Sequence, residues 1–311
     1  MDNILELHHD LADKIYRHGG YHAFKINDPK PREIHKAPVR DRLVHHAVCR
    51  ILYPYFDRQF IHDSYSSRVG KGTHKAMDRF AQFARQVSQN HTKTAWVLKC
   101  DIKKFFASID HEILKSVINF HMEDKESLWL IHQIIDSHNP GLPLGNLTSQ
   151  LLVNIYMNEF DQWVKRVLKI KHYVRFADDF VLISDDRLEC GRALREIDEF
   201  LKTHLKLQLH PTKCFIKTFA SGVDFLGWVH FPDHRVLRTG TRRRMVKRIN
   251  ENNQESYRGL LKHGNTYKIN NSLLYYPHEQ QRYNKRPPEA AAGGDEFAGF
   301  KASACGTAGT G

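Results

Sequence analysis

The stretch YVRFADDFVLIS, residues 173–184, sets Asp178 and Asp179 side by side between two short apolar runs. Val174 and Phe176 precede them and Phe180, Val181, Leu182 and Ile183 follow, so the flanks predict two strands and the carboxylates a tight turn. Taken alone, the pair reads as an acidic hairpin turn. A chemical reading needs a third carboxylate and a reason to concentrate one sign of charge. LKCDIKKFFASIDH, residues 98–111, supplies the carboxylate: Val97, Leu98 and Cys100 make a mostly buried strand with Asp101 at its end. Asp101 and Asp178 lie 77 residues apart, but their strands can be neighbours in one sheet. Like charges within a few Å raise each other's pKa and destabilise a fold unless a cation joins them. Two Mg²⁺ ions roughly 3.5–4 Å apart resolve that repulsion and suit in-line phosphoryl transfer. Oxygen ligands without cysteine favour Mg²⁺, or Mn²⁺, over zinc.

The 311 residues are 41% apolar and 11% aromatic, enough for a globular chain with a sizeable core. Lys and Arg exceed Asp and Glu by 47 to 35, giving net charge +12 and a pI near 9.4. That excess predicts a polyanionic partner, nucleic acid first and an anionic membrane surface second, and a ribosome-associated protein would share it. Five scattered cysteines (49, 100, 190, 214 and 305) without a CxxC pair argue against a disulfide framework and a cysteine zinc site. The opening MDNILELHHDLADK is acidic where a signal peptide is basic, and no run approaches the roughly 20 apolar residues that span a bilayer. These features predict a soluble, cytoplasmic protein without membrane association. His8-His9 and His45-His46 read as surface or packing residues.

Within residues 1 to about 30 the opening ILELHHDLADKIYRHG reads as a helix ending at Gly19-Gly20, and KINDPKPREIHKAP reads as an extended basic connection. RDRLVHHAVCRILYPYFDRQF places Leu43, Val44, Ala47, Val48, Ile51 and Leu52 on one helical face. Strands are expected at TAWVLKCD, on both sides of Asp178-Asp179, and around CFIKTF and DFLGWVHF. Helices are expected at ILKSVINFH, SLWLIHQIIDSH, GRALREIDEFLKTHL and after the loop PGLPLGNLTSQ, where Leu151, Leu152, Ile155, Tyr156, Phe160, Trp163, Val164 and Val167 have core spacing. TRRRMVKRIN opens a basic helical region to about Leu274, and residues 285–311 read as a disordered tail. The class is α+β, an antiparallel sheet backed by helices.

These blocks resemble the prokaryotic reverse transcriptases. FADD between apolar flanks is similar to the family's [YF]xDD hairpin, DIKKFFASID to its first catalytic motif, and LPLGNLTSQ to its substrate loop, usually QGxxxSQ. PREIHKAPVRDRLVHHAV resembles the N-terminal extension and first block, SYSSRVGKGTHKA the finger block, LHPTKC the lysine block, and FLGW the primer-grip hairpin. The likeness spans roughly residues 20–275 with the blocks in the family's order. It implies a right-hand polymerase fold: extension and fingers over 1–95, mainly palm over 96–234 (blocks at 98–111, 142–150, 173–184, 209–214 and 224–228), and thumb over 235–276. The implied activity is RNA-directed DNA synthesis, with template RNA, primer, cDNA product and dNTPs as partners.

Roles follow position by position from the resemblance. Asp101 and Asp178 bind both ions, Asp179 supports them, and the Ile102 carbonyl is a further metal contact. Lys213 corresponds to a lysine proposed to protonate the leaving pyrophosphate, and equally reads as a surface lysine. Phe106 corresponds to a steric gate against a 2′-OH, although at least one of Phe105 and Phe106 reads as core. Arg68 corresponds to an arginine on the incoming triphosphate, a task suited to guanidinium geometry. Gly145, Ser149 and Gln150 are expected beside the nucleotide, with Gly145 admitting the nascent base pair and Ser149 equally readable as a helix cap. Lys30, Arg32 and Arg40 fall in blocks that contact phosphate or template, and each reads at least as well as part of a solvated basic face. Phe225, Leu226, Gly227 and Trp228 correspond to the primer grip. Arg242, Arg243, Arg244, Lys247 and Arg248 are expected to follow the duplex backbone.

Leu144 departs from the usual glutamine of QGxxxSQ. An aliphatic residue there resembles the enzymes of diversity-generating retroelements, which misread template adenines, so Leu144 is the expected fidelity position. That resemblance implies an oligomeric, basic accessory protein. A retron or standalone antiphage-defence reverse transcriptase is the alternative. A catalytically silent RNA-binding protein on the same scaffold is the reading from another class.

Overall fold

A computed structural model describes residues 2–27 and 31–266. The chain opens with helix α1 (Asp2–Ala12) and an antiparallel hairpin of β1 (His22–Ile26) and β2 (Arg32–Lys36). The N-terminal helix therefore ends at Ala12, short of the expected Gly19-Gly20, and the expected extended connection is a paired hairpin. Pro31 and Pro38 punctuate without interrupting pairing. Pro31 directly precedes β2 and Pro38 is the N-cap residue of the next helix, places where a missing N–H breaks no ladder.

Helix α2 (Val39–Asp57) buries Val44, Val48, Cys49, Leu52 and Phe56, but turns Leu43 and Ile51 outward, 48% and 73% exposed. The expected face is rotated because two polar residues, Asp41 and His45, find partners inside. Tyr16 Oη donates to Asp41 Oδ1 at 2.8 Å, Gly19 N donates to Oδ2 at 2.9 Å, and the His18 and His45 Nε2 atoms lie 3.0 Å apart. A hydrophobicity pattern cannot register polar residues that bury by pairing.

After α3 (Thr73–Val87) come β3 (Trp96–Asp101), a 3₁₀ turn at Phe105–Ser108, α4 (His111–His121), α5 (Lys125–Asp136) and α6 (Leu147–Arg166). The hairpin of β4 (Tyr173–Phe176) and β5 (Asp179–Ser184) precedes α7 (Arg187–His204) and β6 (Phe215–Thr218). Then follow β7 (Val223–Phe225), β8 (Trp228–His230), β9 (Arg235–Leu237), α8 (Thr239–Arg248) and α9 (Gln254–Leu261). The central sheet is antiparallel in the order β4-β5-β3-β6. Period-two alternation divides its side chains between two layers. Leu98, Cys100, Phe180 and Leu182 join the core with Leu114 of α4, Phe160 of α6 and Ile197 of α7. Val97, Val174, Val181 and Ile183 pack with Phe80 and Phe83 of α3 and with Phe219 and Phe225. In α6 the residues expected inside are buried, except half-buried Trp163 and exposed Val167, which follows the last helical residue.

The architecture is the expected α+β arrangement. Two compact units divide the chain. The first runs through Lys247, takes in residues 263–265 and contains the sheets; the second begins at Arg248, and α9 is its described helix. The expected thumb is described only through Thr266, and the expected tail at 285–311 lies outside the described residues. Among the described residues no helix is long and apolar enough to cross a membrane.

Candidate active site

The register of β3 and β5 pairs Asp101 directly with Asp179. Cross-strand partners project to one face, and Lys99, two residues before Asp101, shares it. Asp178 sits in the two-residue loop Ala177-Asp178, closed by the pairing of Phe176 with Asp179. Ala177 has φ 54°, a conformation costing an L-residue roughly 1–2 kcal/mol. Two bonds hold the turn there. Arg175 Nη1 donates to the Ala177 carbonyl at 3.1 Å, and Ile102 N donates to the Asp178 carbonyl at 3.1 Å. The second bond ties the turn to β3 and sets Asp178 beside Asp101.

Burial, reinforced by the charge of Asp101, pushes the Asp178 pKa up. The positive charges of Lys213 and Arg32 oppose the shift. Burial also pushes Asp179 up, to about 6, against the attraction of Lys99. Lys99 Nζ lies 2.9 Å from Asp179 Oδ1 as an ion pair without hydrogen-bond alignment, so that buried oxygen lacks a directed donor. Lys213 Nζ donates to Asp101 Oδ1 at 2.7 Å. Carboxylate oxygens gathered beside one another, with Asp178 held above its ordinary range, are what a hard divalent cation relieves, and the oxygen donors fit Mg²⁺ or Mn²⁺. Among the described residues, however, no three His, Cys, Asp or Glu side chains are arranged to hold a metal. The expected ligands are thus brought together in part, with Asp179 turned to Lys99.

Beneath the turn lies a polar network that the sequence reading passed over. Arg175 is fully buried and binds both oxygens of buried Asp161, Nε at 2.8 and 3.0 Å and Nη2 at 2.6 Å. Its remaining donors reach Ser64 Oγ (3.1 Å) and Asn154 Oδ1 (3.3 Å), and Tyr173 Oη donates to Asp161 at 2.7 Å. The backbone of Asp63–Tyr65 pairs beside Arg175, so one guanidinium joins this segment, α6 and the Asp-Asp turn. The available signal was a lone charge within an apolar strand, true of both Arg175 and Lys99.

The substrate loop is strung between neighbours. Leu142 N donates to the Phe106 carbonyl at 2.8 Å, and His35 N of β2 donates to the Leu144 carbonyl at 2.9 Å. Gly141 has φ +63° and presses on the Phe106 backbone, where a Cβ would lie 2.2 Å from its carbonyl oxygen. Gly145 has φ +105°, and a Cβ there would meet Ile34 Cγ2 at 2.6 Å. The glycine thus admits the β1–β2 hairpin, a role not expected from the sequence. Asn146 completes the splint, donating to the His35 carbonyl and accepting from Ala37 N. Ser149 is buried in the first turn of α6, Gln150 is exposed and Leu144 is half-buried.

Phe105 is core and Phe106 is half-exposed, which separates the two readings of that pair. Arg68 turns its guanidinium inward. Its side chain is 6% exposed and donates to Asp57 Oδ1 and to the carbonyls of Asp57, Ile61 and Ser64, bracing its own loop. Arg40 is likewise paired with Asp10. Arg32 is exposed at the start of β2, and Lys30 lies outside the described residues. Phe225 and Trp228 are buried and anchor the β7–β8 hairpin, with Leu226 and Gly227 at its tip. On α8, Arg242, Arg243, Lys247 and Arg248 are exposed and Arg244 is half-buried.

Comparison with known proteins agrees with this geometry. The family model described as reverse transcriptase (RNA-dependent DNA polymerase) matches residues 25–230. Protein YkfC of Escherichia coli (strain K12) is 26% identical over 264 residues, covering 71% of this chain and 67% of that protein. The group II intron-encoded protein LtrA of Lactococcus lactis subsp. cremoris is 24% identical, covering 72% and 47%. The chain therefore spans two thirds of one relative and about half of the other. Among solved structures, apo telomerase from Candida tropicalis superposes with a TM-score of 0.55 at 11% identity, covering 70% of this chain and 48% of that one. That likeness concerns the polymerase fold alone.

Proposed function

The chain belongs to the reverse transcriptase family, and from that premise we propose that it copies an RNA template into cDNA by two-metal nucleotidyl transfer, as the error-prone enzyme of a diversity-generating retroelement. The observation that carries the polymerase reading is the pairing of Asp101 with Asp179 across β3 and β5, with Asp178 in the turn beside them. Bound by Asp101, Asp178 and the Ile102 carbonyl, Mg²⁺ would supply the charge that activates the primer hydroxyl and stabilises the leaving pyrophosphate. Lys213, paired with Asp101, would give a proton to the leaving group, a role its hydrogen bond at the site supports. Arg32, exposed at the start of β2, would supply positive charge to the triphosphate, whereas Arg68 is engaged with Asp57 and three carbonyls. The exposed cations of α8 fit a duplex backbone, with binding that weakens as salt rises. Template RNA, primer and dNTPs are the partners of this reading, and a basic accessory protein belongs to the retroelement form of it.

Half-exposed Phe106 supports the choice of deoxynucleotides. Phe106→Ala is expected to raise ribonucleotide use relative to dNTPs by roughly 10–200-fold, the range of a reshaped pocket wall. Competition between labelled NTP and dNTP in single-nucleotide extension checks this, and an unchanged ratio removes the gate assignment.

Leu144 supports the error-prone subtype, because a templating pair without a polar neighbour is policed by packing alone. Primer extension on an RNA template with Mg²⁺ and dNTPs, followed by product sequencing, tests both levels. Errors concentrated opposite adenine, reduced by Leu144→Gln, are the expected result. Accurate copying keeps the polymerase and discards the subtype. The similarity to LtrA favours one second reading, a polymerase serving an intron RNA, which accurate copying of structured templates would support.

A further inference from the structure

Resting on the polymerase reading, we propose that Lys99 is a built-in counter-cation for Asp179, holding that carboxylate out of the divalent-ion site. The site is then formed by Asp101, Asp178 and the Ile102 carbonyl, without a third carboxylate.

Lys99 lies inside the apolar strand WVLKCD and is only 6% exposed. An ammonium is tolerated in such a place only against an opposite charge. Asp179 Oδ1, 2.9 Å away, is that charge. The register requires the meeting, since Lys99 and Asp101 share one face of β3 and Asp179 stands opposite Asp101.

The two lysines of the site differ in kind. The side chain of Lys213 is 39% exposed and that of Lys99 is 7% exposed. Lys213 can withdraw into solvent when a cation reaches Asp101. Lys99 is walled in by the sheet and stays. With Lys213 withdrawn, Asp101 and Asp178 bring two negative charges, the number that one divalent ion balances. Asp179 keeps its own neutraliser. Lys99 is thus a positioning residue acting through Asp179.

The test is Mn²⁺ binding to the metal-depleted full chain, without nucleotide or nucleic acid, read from the EPR signal of free Mn²⁺ alongside melting in EDTA. Asp101→Asn and Asp178→Asn are expected to weaken binding about tenfold or more, the scale on which loss of a contact at a metal site is felt. Asp179→Asn should leave it nearly unchanged. Lys99→Met should free Asp179 and tighten Mn²⁺ about tenfold, with wild-type affinity restored in Lys99→Met/Asp179→Asn and retained in Lys99→Arg. The proposal is overturned if Asp179→Asn weakens binding as much as Asp101→Asn, if Lys99→Met folds with unchanged affinity, or if the wild type binds no Mn²⁺. Should Lys99→Met fail to fold, the Asp179→Asn and Lys99→Arg affinities decide. Primer extension on the same samples separates the two readings. The expected binding order without synthesis sinks the polymerase and spares Lys99, whereas synthesis with an Mn²⁺ site that needs Asp179 does the reverse.

Discussion

Asp178→Asn is expected to reduce primer extension by about 10³-fold or more, roughly 4 kcal/mol of transition-state stabilisation, the scale of removing one well-placed charge-stabilising group. The same substitution should not harm the fold. Burial and the neighbouring Asp101 raise the Asp178 pKa, so the metal-free fold disfavours its ionised form, and a neutral amide removes that conflict. Asp179 is raised in the same direction, from 3.8 to about 6. The sign follows from proton linkage. Above its ordinary pKa the unfolded carboxylate has released its proton while the folded one retains it, so stability falls as pH rises through that interval. Metal-free wild type should therefore lose stability between about pH 4 and pH 6, and Asp178→Asn should lose less. Melting curves in EDTA across that range, beside extension assays at neutral pH, check both halves. Retained synthesis, or a fold that collapses on this isosteric change, would remove Asp178 from the centre of the chemistry.

The second large effect concerns stability. Arg175→Met leaves Asp161 buried without its cation and strips one anchor from the Ala177 carbonyl, an expected cost of roughly 3–5 kcal/mol. For a chain of this size that is a fall in melting temperature of about 10 °C. Arg175→Met/Asp161→Leu should recover much of the melting temperature, because an apolar pair of similar volume avoids the stranded charge. It should not recover synthesis to the same extent, since the turn has still lost a support and Ser64 its contact. Calorimetry and extension on the two variants decide the matter. Full recovery of both would make Arg175 ordinary packing.

The blocks that carry the fold were legible because strands write themselves as alternation. Val97, Leu98 and Cys100 before Asp101, and Phe180 to Ile183 after Asp179, announced two neighbouring strands, and β3 and β5 pair in register through both carboxylates. The first 40 residues were misread because prolines and basic residues obscured a hairpin whose partner surface, the loop at Leu144–Asn146, lies more than 100 residues away. The rotated face of α2 has a related cause. Asp41 and His45 look like solvent residues until Tyr16, Gly19 and His18 arrive to satisfy them. Within the site, residue types were readable but allegiances were not. Arg68 carries the chemistry for a triphosphate and uses it on Asp57 and three carbonyls. Gly145 is read from the sequence as a close approach to the nascent base pair, whereas the group that presses on it in the fold is Ile34.

The two backbone bonds on the substrate loop, one from Leu142 to Phe106 and one from His35 to Leu144, have a bearing on heredity. They join the ring expected to judge the sugar and the side chain expected to judge the template into one taut segment, tethered at its far end to a hairpin that lies outside the central sheet. Given the roles proposed for Phe106 and Leu144, a lineage would retune how faithfully it copies by exchanging residues of that hairpin, leaving the carboxylates and the reaction they perform intact. Accuracy would then drift or be selected separately from competence, and such a polymerase would turn mutator, or cease to be one, without passing through an inactive ancestor.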